Sequence, residues 1–316
     1  LIKGRAMRGW QRLRLEVLFG FLFCAGPAGS APVAEDSLRL RFIAAFGEEG
    51  DRPGQMRRPH AISNDGKGNL YVADTGNNRI QKFDQHGGVL GMIGGFGWAN
   101  EQFQQPLDVC ADNGLDVFIA DYENRRIARC DNALHWITSY RFPEESERLR
   151  LGFPCAVAIS LHSDLFIADS ENQRILKLNT QWAPELSFGD FDWGEGVLLE
   201  PVALTVSRDD RVYVSDRRAG RISVYDYFGS WLFSWGEGVL KGPAGLCLDA
   251  RGVLWVSDSA HQQLFAFDPS GRLLLQYGGP GEKYGAFKHP VDVTVMHNRL
   301  YVADSDNHRI QVFEIY

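Results

Sequence analysis

The chain has 316 residues, of which 44% are hydrophobic and 23% charged, and its formal net charge is −7. This composition is typical of a globular protein and excludes a long disordered or low-complexity chain. The body is more acidic than the whole, since the first 34 residues hold five basic side chains and one acid. Nucleic-acid affinity rests mainly on basic side chains that neutralise phosphates, so no nucleic-acid partner is expected.

The first 34 residues have the pattern of an export signal. Basic residues up to Arg14 precede an apolar run over residues 17–26, and small residues follow at 28–30. This order is typical of a secretory signal peptide, although a disordered tail is the alternative. The run is about half of the roughly 20 residues that cross a bilayer, so the mature chain is predicted to have no transmembrane segment. We predict a signal peptide or disordered segment over 1–34 and an exported domain, periplasmic or extracellular, over 35–316.

One pattern recurs six times in the rest of the chain. An aliphatic–aromatic–aliphatic triplet is followed by Ala or Ser, then Asp, a polar loop and, in most copies, Arg-Ile. The copies of the aspartate are Asp74, Asp121, Asp169, Asp216, Asp258 and Asp304. Their spacings are 47, 48, 47, 42 and 46 residues, and a proline stands fourteen or fifteen residues before each of them. A period in the forties predicts propeller blades or a solenoid.

Each copy predicts four short β-strands. In the first copy the runs 61–63, 70–74, 79–83 and 89–93 are separated by turns rich in Gly, Asn and Asp. Such runs are too short for helices and are rich in β-branched residues. The run after each proline is apolar on both faces, which indicates an inner strand packed on two sides. Four antiparallel strands joined by short turns make one propeller blade.

The two ends of the chain predict a closed ring. The sixth copy stops after its third strand, whereas residues 38–46 form a strand-like run that belongs to no copy. If this run completes the last blade, an exposed sheet edge disappears. We therefore predict an all-β fold, a six-bladed β-propeller closed by its N-terminal strand.

The motif resembles the NHL repeat, whose signature is Leu-Tyr-Val-Ala-Asp…Asn-Arg-Ile. Residues 71–80 and 301–310 are similar to it, and the resemblance extends over 38–316. The fourth copy departs, with Arg217 and Arg218 in place of the Asn-containing loop, and the fifth lacks the arginine. The repeated aspartates are expected to accept N–H bonds from the following loop, and the arginines to tie loops or adjacent blades.

Function is expected where residues break the repeat, on the face that carries the loops between second and third strands and the connections between blades. The ligand-binding candidates are Trp98, Tyr122, Trp193, Trp235, His60, Arg58 and His289. The aromatic residues have an alternative role in capping the blades. Asp108 and Asp292 replace the small residue found in other inner strands, and they are predicted to line the central channel, as a wet channel or a cation site.

The resemblance also implies enzymatic and RNA-binding alternatives. Peptidyl-hydroxyglycine lyases of similar fold use several histidines for zinc, and lactonase-like propellers bind calcium. Here the histidines do not occupy equivalent positions, so no catalytic residue, metal or cofactor is predicted. Some NHL domains bind RNA, which the charge and the export signal disfavour. The sequence therefore favours a non-catalytic scaffold for a protein, peptide or glycan partner.

Overall fold

The computed structural model describes residues 38–141, 149–190 and 194–316, and over these residues the fold is built from β-strands. The predicted export segment, residues 1–34, lies outside the described residues. Among the residues described, no helix is both long and apolar enough to cross a membrane. The strands form six four-stranded antiparallel sheets.

The first strand of the chain and the first three blades follow the predicted repeat. The strands are β1 (Leu40–Phe46); in blade 1, β2 (Ala61–Asn64), β3 (Asn69–Asp74), β4 (Arg79–Asp84) and β5 (Val89–Gly94); in blade 2, β6 (Pro106–Cys110), β7 (Asp116–Asp121), β8 (Arg126–Asp131) and β9 (Trp136–Tyr140); and in blade 3, β10 (Pro154–Ile159), β11 (Leu165–Asp169), β12 (Arg174–Leu178) and β13 (Pro184–Phe188).

The last three blades have the same organisation. Their strands are, in blade 4, β14 (Pro201–Val206), β15 (Val212–Asp216), β16 (Arg221–Tyr225) and β17 (Trp231–Trp235); in blade 5, β18 (Pro243–Leu248), β19 (Leu254–Asp258), β20 (Gln263–Phe267) and β21 (Leu273–Gly278); and in blade 6, β22 (Pro290–Met296), β23 (Arg299–Asp304) and β24 (Arg309–Ile315). Short 3-10 turns, Thr75–Asn77 and Ser305–Asn307, follow β3 and β23.

The predicted ring closure is confirmed. β1 pairs antiparallel with β24, from Leu40 opposite Ile315 to Phe46 opposite Ile310, and so becomes the outer strand of blade 6. The pairing has an irregularity between Phe42 and Ala44. Because the outer edge of β24 is covered by a strand from the other end of the chain, the ring is pinned shut.

The core lies between blades. Each of the six apolar clusters is shared by two neighbouring blades, and the cluster that joins blade 6 to blade 1 packs Met56 and Phe83 with Tyr301 and Ile310. A single blade is too thin to bury both of its faces, so burial of apolar area requires the complete ring. The structure is thus a six-bladed β-propeller, as predicted.

The repeated aspartates are buried and join the loops on one face of each blade. Asp74 accepts the backbone N–H of Arg57 (2.7 Å), seventeen residues earlier in the connection that leads into the blade. The expectation that the following loop supplies the N–H groups is only partly right: Ala219 does so in blade 4 (3.3 Å), whereas in blade 1 the Asn77 side chain donates instead (2.9 Å).

The repeated arginines tie loops together, as expected. Arg79 donates from Nε to Asp74 (2.7 Å) and from its Nη atoms to the carbonyls of Asp51 (2.6 Å) and Gln55 (2.8 Å). Each such guanidinium therefore links the entering connection to the loop after the second strand. Arginines at the same position make such bonds in blades 2, 3, 4 and 6, whereas blade 5 has Gln263 there.

Candidate functional site

A cavity of about 500 Å³ opens at the centre of the loop face. Its volume lies within the range of about 300–1,000 Å³ that is usual for ligand sites. It is lined from blades 1, 2, 3, 4 and 6, while blade 5 presents small residues, Gly242, Ala244 and Ser259, at the matching positions. The cavity is therefore asymmetric although the scaffold is not.

The lining residues occupy three positions of the repeat. The residues just before the blade-initial proline are Arg58, Gln105, Glu200 and His289; those just after it are His60, Leu107, Cys155 and Val202; and those just after the repeated aspartate are Thr75, Tyr122, Ser170, Arg217 and Ser305, with Asp306 next to the last. Equivalent positions thus carry charged, aromatic, aliphatic and hydroxyl side chains. A ligand entering this ring meets a different group on every side.

Three cavity residues hold a left-handed backbone. Arg58, Gln105 and His289 have φ values of 48°, 56° and 58°, each directly before a proline. Positive φ is uncommon in non-glycine residues, and such backbones cluster at functional sites. Here the surroundings hold them in place, since the Gln105 N–H donates to Asn78 Oδ1 (2.8 Å) and the Arg58 N–H to His308 Nδ1 (3.1 Å).

His60 lines the cavity and has one unprotonated ring nitrogen. Its Nδ1 lies 2.8 Å from the carbonyl oxygen of Leu107 in the next blade. The carbonyl only accepts, so Nδ1 carries the proton and Nε2 is left as an acceptor. Burial lowers the His60 pKa from 6.5 to about 4, against the hydrogen bond to Leu107, and the charge of Arg217 lowers it further. His60 is therefore neutral at physiological pH.

The pKa of His289 is lowered as well, by burial and by charges that again include that of Arg217. Burial lowers its pKa below the usual 6.5, Asp306 opposes this shift, and the charges of Arg217 and Arg58 add to it. Arg217 thus acts on histidines from blades 1 and 6, although it belongs to blade 4. It also opposes the rise in the pKa of the Cys155 thiol in blade 3. Besides burial, the positive charge of Arg217 thus shifts the pKa values of side chains from blades 1, 3 and 6.

Each arginine of the cavity has one acidic neighbour. Arg217 Nη1 lies 3.3 Å from Glu200 Oε1, and Arg58 Nε lies 3.5 Å from Asp306 Oδ1. Within the described part of the chain, Arg217 Nε is buried and has no hydrogen-bond partner. A buried donor without a partner costs free energy. The side-chain hydrogen bond that Arg217 makes within the described residues is the one from Nη1 to Glu200, so the guanidinium keeps donors for a ligand in the cavity that it lines.

Tyr122 and Cys155 contribute shape. The Tyr122 ring stacks on Phe153, with ring centroids 4.9 Å apart. The Cys155 thiol lies 3.1 Å from the carbonyl of Pro201, and burial raises its pKa to about 12. The thiol is therefore protonated and poorly nucleophilic at neutral pH, because the thiolate is the reactive form.

Below the cavity the channel narrows to a space of about 60 Å³ between the six inner strands, lined by Asp108 and Asp292. Both carboxylates bond to the neighbouring blade: Asp108 Oδ2 accepts the Val157 N–H (2.7 Å) and Asp292 Oδ2 accepts the Ile62 N–H (2.8 Å). Burial raises the pKa of both, that of Asp108 to about 7. These residues line the channel, where they cross-link the inner strands.

The remaining predicted residues lie elsewhere. Trp98, in the connection between β5 and β6, is 72% exposed and outside the cavity. Trp235, at the end of β17, packs on Phe267 with ring centroids 4.7 Å apart and so takes the blade-capping role. Trp193 lies outside the described residues. Arg58, His60, Tyr122 and His289 are brought together.

Sequence reasoning missed the contribution of Arg217, Glu200, Gln105 and Val202 to this cavity. The signal was available, because each residue flanks a blade-initial proline or follows a repeated aspartate. Aligning the six copies and comparing these three positions would have identified the ring of unlike side chains.

The cavity does not fit a zinc or calcium centre. Over the ranges that the structure describes, no three side chains among His, Cys, Asp and Glu are grouped to hold a metal ion. His261 bonds to the repeated Asp258 (3.1 Å), and His308 accepts the Arg58 N–H, so neither histidine joins His60 and His289. Catalytic zinc needs about three protein ligands around an open position.

Comparison with known proteins finds the repeat and the fold. The model of the NHL repeat matches residues 56–83, 103–130 and 287–313, in blades 1, 2 and 6. Protein lin-41 of Caenorhabditis elegans is 44% identical over 48 residues, which are 15% of this chain and 4% of that protein. The chain therefore matches a small part of that relative.

Several solved structures share the architecture. A protein of unknown function from Bacteroides thetaiotaomicron superposes with a TM-score of 0.68 at 14% identity, covering 88% of this chain and 76% of that one. Virginiamycin B lyase from Staphylococcus aureus gives 0.62 at 11% identity, covering 88% and 100%. A gluconolactonase from Xanthomonas campestris gives 0.61 at 16%, covering 83% and 87%. At such identities these likenesses show the fold alone.

Proposed function

We propose that this six-bladed β-propeller, in which three blades match the NHL repeat, is a non-catalytic binding module that takes up a polypeptide segment of a partner protein at the mouth of its channel. The proposal rests on one contrast: the residues that build the blades repeat around the ring, whereas the residues that line the cavity differ from blade to blade. The repeated aspartate is identical in all six blades, whereas the residue after the proline differs between blades, as in His60, Leu107 and Cys155. An asymmetric lining on a symmetric scaffold selects one orientation of one ligand.

The shape of the site favours an inserted segment. The cavity at the loop face has a volume of about 500 Å³, whereas the space between the inner strands has about 60 Å³, so the mouth is the roomier place for a segment of chain. Exposed aromatic side chains of the same face, Phe96 and Trp98, extend the apolar surface beyond the cavity. Aromatic residues around a pocket are the usual anchors of protein interfaces.

The chemistry of the cavity favours binding over catalysis. A general base works best when its pKa lies near the ambient pH, and a pKa of about 4 makes His60 a weak base. The protonated Cys155 thiol is a poor nucleophile. A metal-dependent lyase or lactonase, the alternative that the fold suggests, would need ligands that this cavity does not assemble.

The test uses peptides selected on the full chain from a random linear library and measured by fluorescence anisotropy. Val202→Phe fills the cavity and is expected to weaken binding at least tenfold. Leu161→Phe, which introduces the same aromatic side chain at an exposed position on the opposite face, is the matched control and should bind as the wild type does. Failure to select any peptide, selection of glycans on an array instead, or equal binding to Val202→Phe would contradict the proposal.

The same proposal puts the module outside the cytoplasm. It is supported by the order of basic, apolar and small residues over 1–34. Cell fractionation of the full chain and of a form without residues 1–34 tests it, and recovery of both forms in the cytoplasm would overturn it.

A further inference from the structure

We infer that the segment taken up at the channel mouth presents a carboxylate, and that the guanidinium of Arg217 binds it. This inference rests on the proposed function and adds the chemistry of the ligand. It starts from the one blade whose loop breaks the repeat at the cavity.

Arg217 occupies a position where the other blades have small or neutral side chains. The residue after the repeated aspartate is Thr75, Tyr122, Ser170, Ser259 or Ser305 in the remaining blades. The same loop lacks the asparagine whose amide bonds the aspartate in blade 1, and Ala219 stands there instead. The loop of blade 4 therefore lacks the hydrogen bond between Asn and Asp, and the same loop places a cation, Arg217, at the mouth of the channel. Local breaks of a structural rule are expected at functional positions.

The guanidinium of Arg217 is held by Glu200, and not all of its donors have a partner among the described residues. Glu200 holds Nη1 at 3.3 Å, which orients the planar group, while the buried Nε has no partner among the described residues. An arginine offers five donors in a fixed fork that matches a carboxylate. The remaining donors can therefore bind a carboxylate from the cavity side while Glu200 stays in place.

Among the described residues, two arginines and two acids line the cavity: Arg58, Arg217, Glu200 and Asp306. A ligand therefore meets positive charge only on the side of an arginine. The charge of Arg217 acts on His60, His289 and Cys155, side chains from three other blades. Below them the channel is lined by Asp108 and Asp292 and, among the described residues, by no basic side chain. A carboxylate that enters from the loop face therefore meets Arg217 before it reaches the narrower part of the channel.

His60 completes the site on the opposite side of the ring. Its Nε2 accepts a hydrogen bond, because Nδ1 is committed to the Leu107 carbonyl. A backbone N–H next to the carboxylate suits that acceptor. A polypeptide supplies such a donor beside either a C-terminal carboxylate or an Asp or Glu side chain.

The experiment changes the peptide and the protein together. Each selected peptide is made with a free C-terminus, with a C-terminal amide, and with its internal Asp and Glu replaced by Asn and Gln. We expect one of the two neutral forms to bind the wild type at least tenfold more weakly, and that form identifies the source of the carboxylate. Arg217→Gln should lose at least tenfold for the carboxylate peptide and almost nothing for the neutral form.

Arg218→Gln is the matched control, because it removes the same charge from the adjacent, exposed residue that does not line the cavity. Arg217→Lys keeps the charge without the fork and should retain part of the affinity. Equal binding of the neutral and carboxylate peptides to the wild type overturns this inference and leaves the binding proposal standing. Equal losses from Arg217→Gln and Arg218→Gln also overturn it. A library that yields no cavity-dependent peptide removes the proposed function and this inference with it.

Discussion

The Asp108 carboxylate accepts the backbone N–H of Val157 across the boundary between blades 2 and 3, at 2.7 Å. A second carboxylate, that of Asp292, makes the corresponding bond from blade 6 to Ile62 in blade 1 (2.8 Å). The inner ring is therefore cross-linked through two acids that are buried close to one another. Like charges in a buried channel repel, and this has consequences for stability as the pH changes.

The contribution of these two carboxyls to stability should fall as the pH rises from about 4 to about 7. Burial raises the Asp108 pKa from 3.8 to about 7, and the Asp292 pKa also rises. A group whose pKa is higher in the folded state adds stability below its unfolded pKa and loses it as the pH passes the folded value. Asp108→Asn keeps an acceptor for Val157 without the charge, so its Tm should exceed that of the wild type at pH 8, and the difference should shrink toward pH 4.

Thermal unfolding followed by circular dichroism between pH 4 and 8 measures this effect. Asp268→Asn is the control, since turn hydrogen bonds lower the Asp268 pKa to about 2 and its contribution is lost only when the pH falls toward that value. A Tm of Asp108→Asn that stays below the wild type at pH 8 would contradict the prediction.

The buried ion pairs of the repeat should carry more stability than exposed pairs. Arg126 Nε lies 2.6 Å from Asp121, with 1% and 0% of the two side chains exposed. Asp121→Ala leaves this guanidinium buried without its partner and should cost about 3–5 kcal/mol. Glu171→Ala removes the exposed partner of Arg125 and should cost less than about 1 kcal/mol. Guanidinium unfolding compares the two, and equal losses would sink the structural role of the repeated aspartate.

The strand β1 should be indispensable for the ring. It covers the edge of β24 through pairing from Leu40 to Phe46. Removal of residues 1–47 exposes that edge and opens blade 6, so the chain is expected to aggregate or to lose cooperative unfolding. Removal of residues 1–37 leaves β1 intact and serves as the control. Size-exclusion chromatography and thermal unfolding give the answer, and a monomeric, cooperative product of the longer deletion would refute the closure argument.

Trp98 should contribute to binding without contributing to the fold. Its side chain is mostly exposed on the loop face. Trp98→Ala is expected to weaken a selected peptide by about 1 kcal/mol, roughly fivefold, because an exposed aromatic at an interface rim adds contact area. Phe228→Ala removes an equally exposed ring from the opposite face and should leave affinity unchanged. Identical affinities for both variants would limit the site to the cavity.

The fold was predictable because its determinants are local and periodic. Six aspartates at spacings of 42–48 residues, each with a proline before it, define six identical units, and the strand-like run 38–46 completes the last of them. Units of this kind bury apolar area only against one another, which leaves a ring as the solution. The bonding of the aspartates was harder to predict. Their main donors, such as the Arg57 N–H, lie seventeen residues earlier in the chain.

The candidate site was predictable in part. The sequence marks Arg58, His60, Tyr122 and His289 as departures from the repeat, and all four line one cavity. Trp98 and Trp235 were selected as aromatic residues in the connections between blades, but neither lines the cavity. The protonation state of His60 was beyond sequence reasoning, since it depends on the Leu107 carbonyl of another blade and on the depth of burial.

The amino-acid sequence by itself determined the number of blades, their strand order and the closure of the ring, because these follow from short-range patterns repeated along the chain. Only the tertiary structure decided which unlike residues face one another across the channel mouth. Arg217 and His60 are 157 positions apart, and the packing of whole blades brings the charge of one to bear on the ring of the other. Electrostatics and desolvation depend on distance in space, which the spacing of residues along the chain does not specify.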